Sequence, residues 1–274
     1  MSLLSLLSFS CPLILSSLGA LFTEYAGCLA LFLEGLISFA AFLHYAFTCW
    51  TGSSTAGIII SSLICILLTT GFSLLIERFK ANKFIAAIAI NLFFSSLTSL
   101  LSWYFFKTRG VLASEAYRFS SCSVQISTII LSLCLIAAAI VFLKYSRYGL
   151  YIRITGSDAP VLKAKGVNPS NIQTLSWALA ALYGSMAGVL LGMRLSSFVP
   201  NISSGRGWMA LAAVFLGRKN PVRIIISVLI FCFADIFSAN IQNYIQGIPN
   251  SFLLSFPYII SLILIFLPDQ YHQE

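Results

Sequence analysis

Residues 205–221 run Gly205-Arg206-Gly207-Trp208-Met209-Ala210-Leu211-Ala212-Ala213-Val214-Phe215-Leu216-Gly217-Arg218-Lys219-Asn220-Pro221. The apolar stretch inside them, 207–217, is about half the ~20 residues that a helix needs to cross a bilayer. Glycines bound it, Gly205 and Gly207 before and Gly217 after. It fits a broken or half-length helix, which membrane proteins tolerate where surrounding protein satisfies the open backbone. Eight longer apolar segments lie around it, near 3–22, 28–48, 56–76, 84–106, 126–144, 173–194, 222–243 and 251–267. Lipid offers no partner for open backbone groups, so all of them are expected to be helices. The predicted fold is an all-α polytopic membrane protein with about 8–9 transmembrane helices or half-helices. Residues 1–274 are read as one domain.

Composition agrees. Of 274 residues, 59% are hydrophobic and 9% charged, with a mean hydropathy of +0.94. A soluble domain carries about 25% charged residues, so a soluble enzyme, a nucleic-acid-binding domain and a disordered chain are excluded. The net charge of +8 belongs to loops that set topology and does not imply nucleic acid. The seven cysteines form no CxxC or CxxxC pair and read as small packing residues without metal or disulfide. The first Lys or Arg is Arg78. Segment 3–22 therefore lacks the basic flank of a cleavable signal and is expected to remain as a membrane helix.

Eleven of the sixteen basic residues fall in three connections, 77–83, 144–172 and 218–223. The other five are Lys107, Arg109, Arg118, Arg194 and Arg206. The three rich connections share a side if 207–217 crosses back, and the positive-inside rule makes that side cytoplasmic. The C-terminus is then inside and the N-terminus outside.

A second stretch resembles 205–213. Gly27-Cys28-Leu29-Ala30-Leu31-Phe32-Leu33-Glu34-Gly35 also follows a helix and a polar turn, Thr23-Glu24-Tyr25. Five segments separate the two, an odd number, so they enter the membrane from opposite sides. Interrupted helices at matching places in two halves suggest an inverted repeat with a binding site near the midplane. Glu34 and Asp235 are ionisable residues within spans, which marks a functional hypothesis. Neither has a cation one turn away, so each must face a cavity, another helix or a partner. Asn91, Asn240 and Gln242 could line a pathway for a polar solute or serve as interhelical hydrogen bonds. His44 reads as an interfacial residue. Trp50, Trp103 and Tyr104 sit near helix ends, where an aromatic belt belongs.

The longest inside connection, 145–172, contains Thr155-Gly156-Ser157-Asp158-Ala159-Pro160-Val161-Leu162-Lys163-Ala164-Lys165-Gly166. It reads as a two-turn helix capped by Ser157 or Asp158, with Pro160 in the first turn and Gly166 in the left-handed position after its end. A helix held between two membrane helices can act as a lever.

This loop, with its Asp158-Ala159…Gly166 spacing, resembles the coupling loop of bacterial ABC-importer permeases. The 205–221 stretch is similar to the Gly-Arg-Gly…Leu-Ala-Ala…Gly-Arg…Asn-Pro signature of permeases for simple sugars, nucleosides and branched-chain amino acids, with Gly205, Arg206, Gly207, Gly217 and Arg218 at its marked positions. Gly27, Glu34 and Gly35 match that family's Gly…Leu-Glu-Gly element, and Asp235 its following Ala-Asp pair. The resemblance covers roughly 12–268 and is strongest from 145 onward. Nucleoside and riboflavin permeases look nearest. Ala30 and Phe32 depart from the family's usual Asn and Gly.

The resemblance implies a permease subunit in the bacterial inner membrane, coupled through Gly156, Ser157, Asp158, Ala159 and Gly166. Its expected partners are a cytoplasmic ATPase, a second homologous permease and an extracytoplasmic solute-binding protein. The chain has no GxxxxGK[ST] loop and no catalytic motif, so it is expected to be no enzyme. ATP and Mg would serve the partner ATPase, with no cofactor or metal in this chain. The other reading is a secondary transporter driven by an ion gradient, with Glu34 and Asp235 as its acids.

Overall fold

The computed structural model describes residues 3–119, 121–244 and 259. In chain order its helices are α1 (Leu3–Tyr25), α2 (Leu33–Thr51), α3 (Ser54–Arg78), α4 (Lys83–Phe106), α5 (Ser121–Tyr145), α6 (Arg147–Ser157), α7 (Ala159–Ala164), α8 (Pro169–Leu195), α9 (Arg206–Leu216) and α10 (Pro221–Tyr244), with a 3-10 turn at Glu115–Tyr117. Six of these helices are long and apolar enough to cross a membrane. The expected segment 251–267 lies outside the described residues.

Local chemistry sets the boundaries. The Asn82 side chain accepts from the Phe84 and Ile85 N–H groups and opens α4. Asn168 does the same for Ser170 N, with Pro169 in the first turn of α8. Such caps satisfy N–H groups that have no partner within the helix. Two expectations are corrected. The helix predicted at 28–48 begins only at Leu33. The chain after α1 turns through Gly27 at φ 75, and this turn is closed by bonds from Ala26, Gly27 and Cys28 N–H to the last carbonyls of α1. The two-turn helix predicted after Ser157 or Asp158 is α7, with Pro160 in its first turn, but an unpredicted helix, α6, precedes it and ends at Ser157. Asp158 at the junction has φ −151, ψ 80, and its side chain caps nothing. Ser157 Oγ bonds back to the Arg153 and Ile154 carbonyls. Gly166 does take the left-handed conformation, φ 75.

Helices α1, α2 and α8 form the buried centre, and α3, α4, α5 and α10 surround it with apolar side chains turned outward, such as Ile59, Leu92 and Phe233. Without a hydrophobic drive in lipid, small residues let helices approach closely. A Cβ on Gly188 of α8 would strike the Ile37 carbonyl and lie 3.1 Å from Ala40 Cβ. One turn before, Gly184 faces Leu33 and Leu36, and one turn after, Gly192 approaches the Ala41 carbonyl. The matching order shows that α2 and α8 run parallel. Phe32 stacks on Trp177 at 4.8 Å and Phe39 on Phe94 at 5.3 Å.

The three basic connections meet at one end, around residues 24–27. Lys83 contacts Gln173, whose amide donates to the Ala26 carbonyl at 3.1 Å. Arg153 lies over the Tyr25 ring at 5.3 Å. The Tyr25 hydroxyl donates to the Lys219 carbonyl, and Lys219 pairs with Glu24 at 3.0 Å. This is the cytoplasmic end by charge. At the other end Leu112 and Phe198 exchange backbone hydrogen bonds at 2.8 and 2.9 Å, and Trp50, Trp103 and Tyr104 are exposed as expected. His44, read as interfacial, is instead fully buried on α2. Its Nδ1 meets the Tyr117 hydroxyl at 2.6 Å, so the 3-10 turn covers it.

Candidate functional site

Between α8 and α9 the chain descends beside α2. Phe198 packs on Phe42 at 5.4 Å, one turn further in Ser38 donates to Ser203 Oγ at 2.8 Å, and another turn in lies Glu34. From there α9 runs on to the cytoplasmic end, where Lys219 meets Tyr25. Its eleven residues cover about 16 Å, roughly half the hydrocarbon core. The 207–217 stretch is therefore a half-helix that completes a crossing begun by an irregular outer segment. Irregular backbone is tolerated at this depth because it is packed inside protein.

The Glu34 carboxylate joins the starts of α2 and α9. Oε1 accepts from Ser203 Oγ at 2.6 Å and Gly205 N at 2.7 Å, and Oε2 accepts from Gly207 N at 2.7 Å. These backbone donors open α9, and a helix start carries about half a positive charge. Glu34 itself stands in the first turn of α2. Beside it, Gly35 N donates to Asn91 Oδ1 of α4 at 2.5 Å. Two helices thus start side by side and run apart, α2 outward and α9 inward, with one carboxylate serving both positive ends. Gly205 holds φ 84 as the residue before α9. Gly207 must lack a side chain, since a Cβ would sit 2.6 Å from Glu34 N.

Arg206 starts α9 and bonds weakly, at 3.4 Å, to the Ile202 and Ser203 carbonyls. Its guanidinium lies 5.7 Å from the Phe9 ring centre, and Arg194 lies over the same ring at 4.8 Å. Arg206 is also near enough to Asp235 of α10 to act on it electrostatically. The cation that Asp235 lacks on its own helix therefore comes from α9. Asn240 and Gln242 lie on α10, but their side chains are outside the described residues. Gly217 and Arg218 sit at the cytoplasmic end of α9. There Gly217 packs on the Ile224 backbone of α10, and Arg218 adopts φ 49.

The residues expected to couple to an ATPase lie at that end. Gly156 belongs to α6, where its Cα is pressed against the turn after α1. A Cβ there would collide with the Tyr25 carbonyl and lie 2.8 Å from Gly27 N. Ser157, Asp158 and Gly166 are exposed, Ala159 is half-buried, and Leu162 anchors α7.

Sequence reasoning missed a cavity on the outer side of Glu34. It holds about 280 Å³ between α2, α4 and the descending segment, lined by Ser38, Thr98, Ser102, Pro200 and others. It opens into a wider cleft of about 550 Å³ along Ser95, Ser96, Ser99, Leu100, Trp103 and Arg109. The signal was present in α4 as Asn91, Ser95 and Ser99 at four-residue spacing, with Thr98 and Ser102 beside them. Residues four apart share a helix face.

A half-helix, α9, joined at depth to the start of α2, a hydroxyl-lined cavity on its outer side and a basic cytoplasmic end are the features of a multi-pass membrane transport protein. The chain belongs to the family described as branched-chain amino acid transport system, permease component, which it matches over residues 2–267. It is 27% identical over 283 residues to the guanosine ABC transporter permease NupQ of Bacillus subtilis, covering 94% of this chain and 88% of that protein. It is 25% identical over 289 residues to the nucleoside ABC transporter permease NupC of Lactococcus lactis, covering 95% and 90%. The ribose import permease RbsC of Escherichia coli is 35% identical over 80 residues, 29% of this chain and 25% of that one. The fold is similar to that in a solved structure of PsaBC from Streptococcus pneumoniae with a Fab, at TM-score 0.60 and 16% identity, covering 97% of this chain and 91% of that one. The protein is an ABC-type permease of the inner membrane.

Proposed function

We propose that this chain is the permease subunit of an ABC importer that carries a nucleoside into the cytoplasm. The observation that carries this reading is the near end-to-end match to two permeases, NupQ and NupC, named for guanosine and nucleoside transport. A cytoplasmic ATPase using ATP and Mg, a second permease and an extracytoplasmic binding protein complete the transporter. Riboflavin is a further solute for the substrate test.

The coupling residues suggest how work reaches the pathway. An ATPase docked on the exposed α7 would push on α6. Gly156 passes that push to the turn after α1, which leads into α2 and Glu34. Tyr25 and Glu24, at the end of α1, hold the cytoplasmic end of α9 through Lys219. One displacement would thus move both helices that share Glu34. Nucleotide shifts such an equilibrium only by its differential affinity for the two states.

The test is to purify the chain in mild detergent from its native membrane and reconstitute what accompanies it. Co-purification of an ATPase and a second permease, with ATP-dependent uptake of guanosine, is expected. A chain that purifies alone and transports on an ion gradient without ATP would replace this reading with a secondary transporter.

A further inference from the structure

We propose that the cavity between α2 and α4 is an outward-facing subsite for the sugar of a nucleoside, and that Arg109 at its mouth selects a purine with a carbonyl at C6. This rests on the nucleoside reading above and goes beyond it by naming the subsite and the base.

The chemistry follows from where the wall hydroxyls send their protons. Ser95 donates to the Asn91 carbonyl at 3.1 Å, Thr98 to Phe94 at 2.7 Å, Ser99 to Ser95 at 3.3 Å and Ser102 to Thr108 at 2.8 Å. Ser38, at the inner edge, donates to Ser203. Each hydroxyl has one proton and two lone pairs, so these five hydroxyls, whose protons are spent on backbone carbonyls or on Ser203, present oxygen lone pairs to the cavity beside the Asn201 amide. A solute rich in O–H donors, such as a pentose, satisfies that wall.

The mouth has the opposite character. Among the described residues Arg109 has no hydrogen bond or ion pair, and it lines both the cavity and the cleft. A guanidinium offers five N–H donors in a rigid fork. Guanine presents O6 and N7, two acceptors on one edge, which that fork meets in a bidentate pair. Adenine presents one acceptor and one donor there and is mismatched. Leu100 and Trp103 line the cleft, with Lys107 over the Trp103 ring at 5.4 Å, and leave the base a place beside the sugar. The cavity reaches inward to Ser38, which is tied through Ser203 to Glu34. A bound nucleoside therefore waits directly above the joint of α2 and α9, on the side where a binding protein delivers it.

The experiment uses the complete importer in proteoliposomes, with saturating binding protein. Maximal uptake of guanosine and of adenosine is measured for wild type, Arg109→Lys and Ser99→Trp. Each variant is read only when it co-purifies with its ATPase at the wild-type ratio, and Ser99→Val is read instead if the tryptophan fails to assemble. Arg109→Lys keeps the charge but not the fork. It should lower guanosine uptake about tenfold, the scale of one bidentate pair, and adenosine uptake less than about twofold. Ser99→Trp, by filling the cavity, or Ser99→Val, by removing an acceptor, should lower the uptake of both. Unchanged rates in assembled variants, or equal losses for both nucleosides in Arg109→Lys, overturn the inference and leave the nucleoside reading standing. A wild-type importer that moves no nucleoside overturns both.

Discussion

Replacing Glu34 by Gln tests whether one carboxylate joins the starts of α2 and α9. In the structure its oxygens accept three hydrogen bonds at 2.6–2.7 Å, two on Oε1 and one on Oε2. Glutamine has nearly the same shape but only one accepting oxygen. If that oxygen keeps Ser203 and Gly205, the amide turns its N–H₂ toward Gly207 N–H, donor against donor. One charge-assisted bond is lost, worth about 1.5–3 kcal/mol. The favourable charge at two helix starts goes as well, worth about 0.3–1 kcal/mol for each. The total is about 2–5 kcal/mol. For a chain of this size 1 kcal/mol moves the melting temperature by about 2–4 °C, so a loss of about 4–20 °C is expected. The assay is tryptophan fluorescence during heating of the detergent-solubilised complex, with ATP-dependent uptake measured alongside. Ser203→Ala removes one of the three bonds and also the acceptor of the Ser38 hydroxyl, so it too should lower the melting temperature. Because the two residues share one network, the double variant should cost less than the sum. A Glu34→Gln protein that melts within about 1 °C of wild type and transports at the wild-type rate would refute the reasoning, because α9 would then be held by something else.

Three further outcomes are expected. Gly156→Ala drives a Cβ into the Tyr25 carbonyl and the Gly27 backbone, neither of which can rotate away. Overpacking of this kind costs about 1–3 kcal/mol, and loss of uptake with retained ATP hydrolysis would show that force passes here, whereas wild-type uptake would exclude that route. Asp158→Lys alters an exposed side chain that caps nothing, so expression and melting should hold while uptake is abolished; normal uptake would remove Asp158 from the coupling surface. Burial holds the Tyr117 phenol in its neutral form by raising its pKa well above the usual value. Tyr117→Phe leaves the buried His44 Nδ1 without that partner, at about 1–3 kcal/mol, seen as a lower melting temperature; no change would mean that His44 finds another partner.

Much of this was legible in the amino-acid sequence because transfer into lipid is a local property. A run of apolar side chains repays burial whatever lies beside it, so the spans from Ser54 to Leu195 fall within a few residues of their predicted places. The half-helix at 207–217 was readable from its length and glycines, the left-handed Gly166 from its position, and the common side of the basic connections from their charge. The sequence also singled out Glu34 and Asn91 as polar residues at depth.

Their partners could only come from the tertiary structure. Gly205, which donates to Glu34, lies 171 residues away, and Asn91 lies 56 residues from Gly35. Nothing in a local pattern distinguishes an acid that faces a solute from one that holds a helix start. The late start of α2 was hidden for a similar reason. The 28–32 run, Cys28-Leu29-Ala30-Leu31-Phe32, is apolar enough to join the helix, but the turn at Gly27 and the Phe32–Trp177 stack draw it out of line. Gly156 was assigned to coupling from the sequence, but its contact with Tyr25 and Gly27 came only with packing. The cavity depends on where three separate stretches come together, and the direction in which each hydroxyl spends its proton depends on backbone carbonyls in place only once the helices are formed. The order of side chains told what enters the membrane; packing decided which polar groups, once there, pair with one another and which line a cavity.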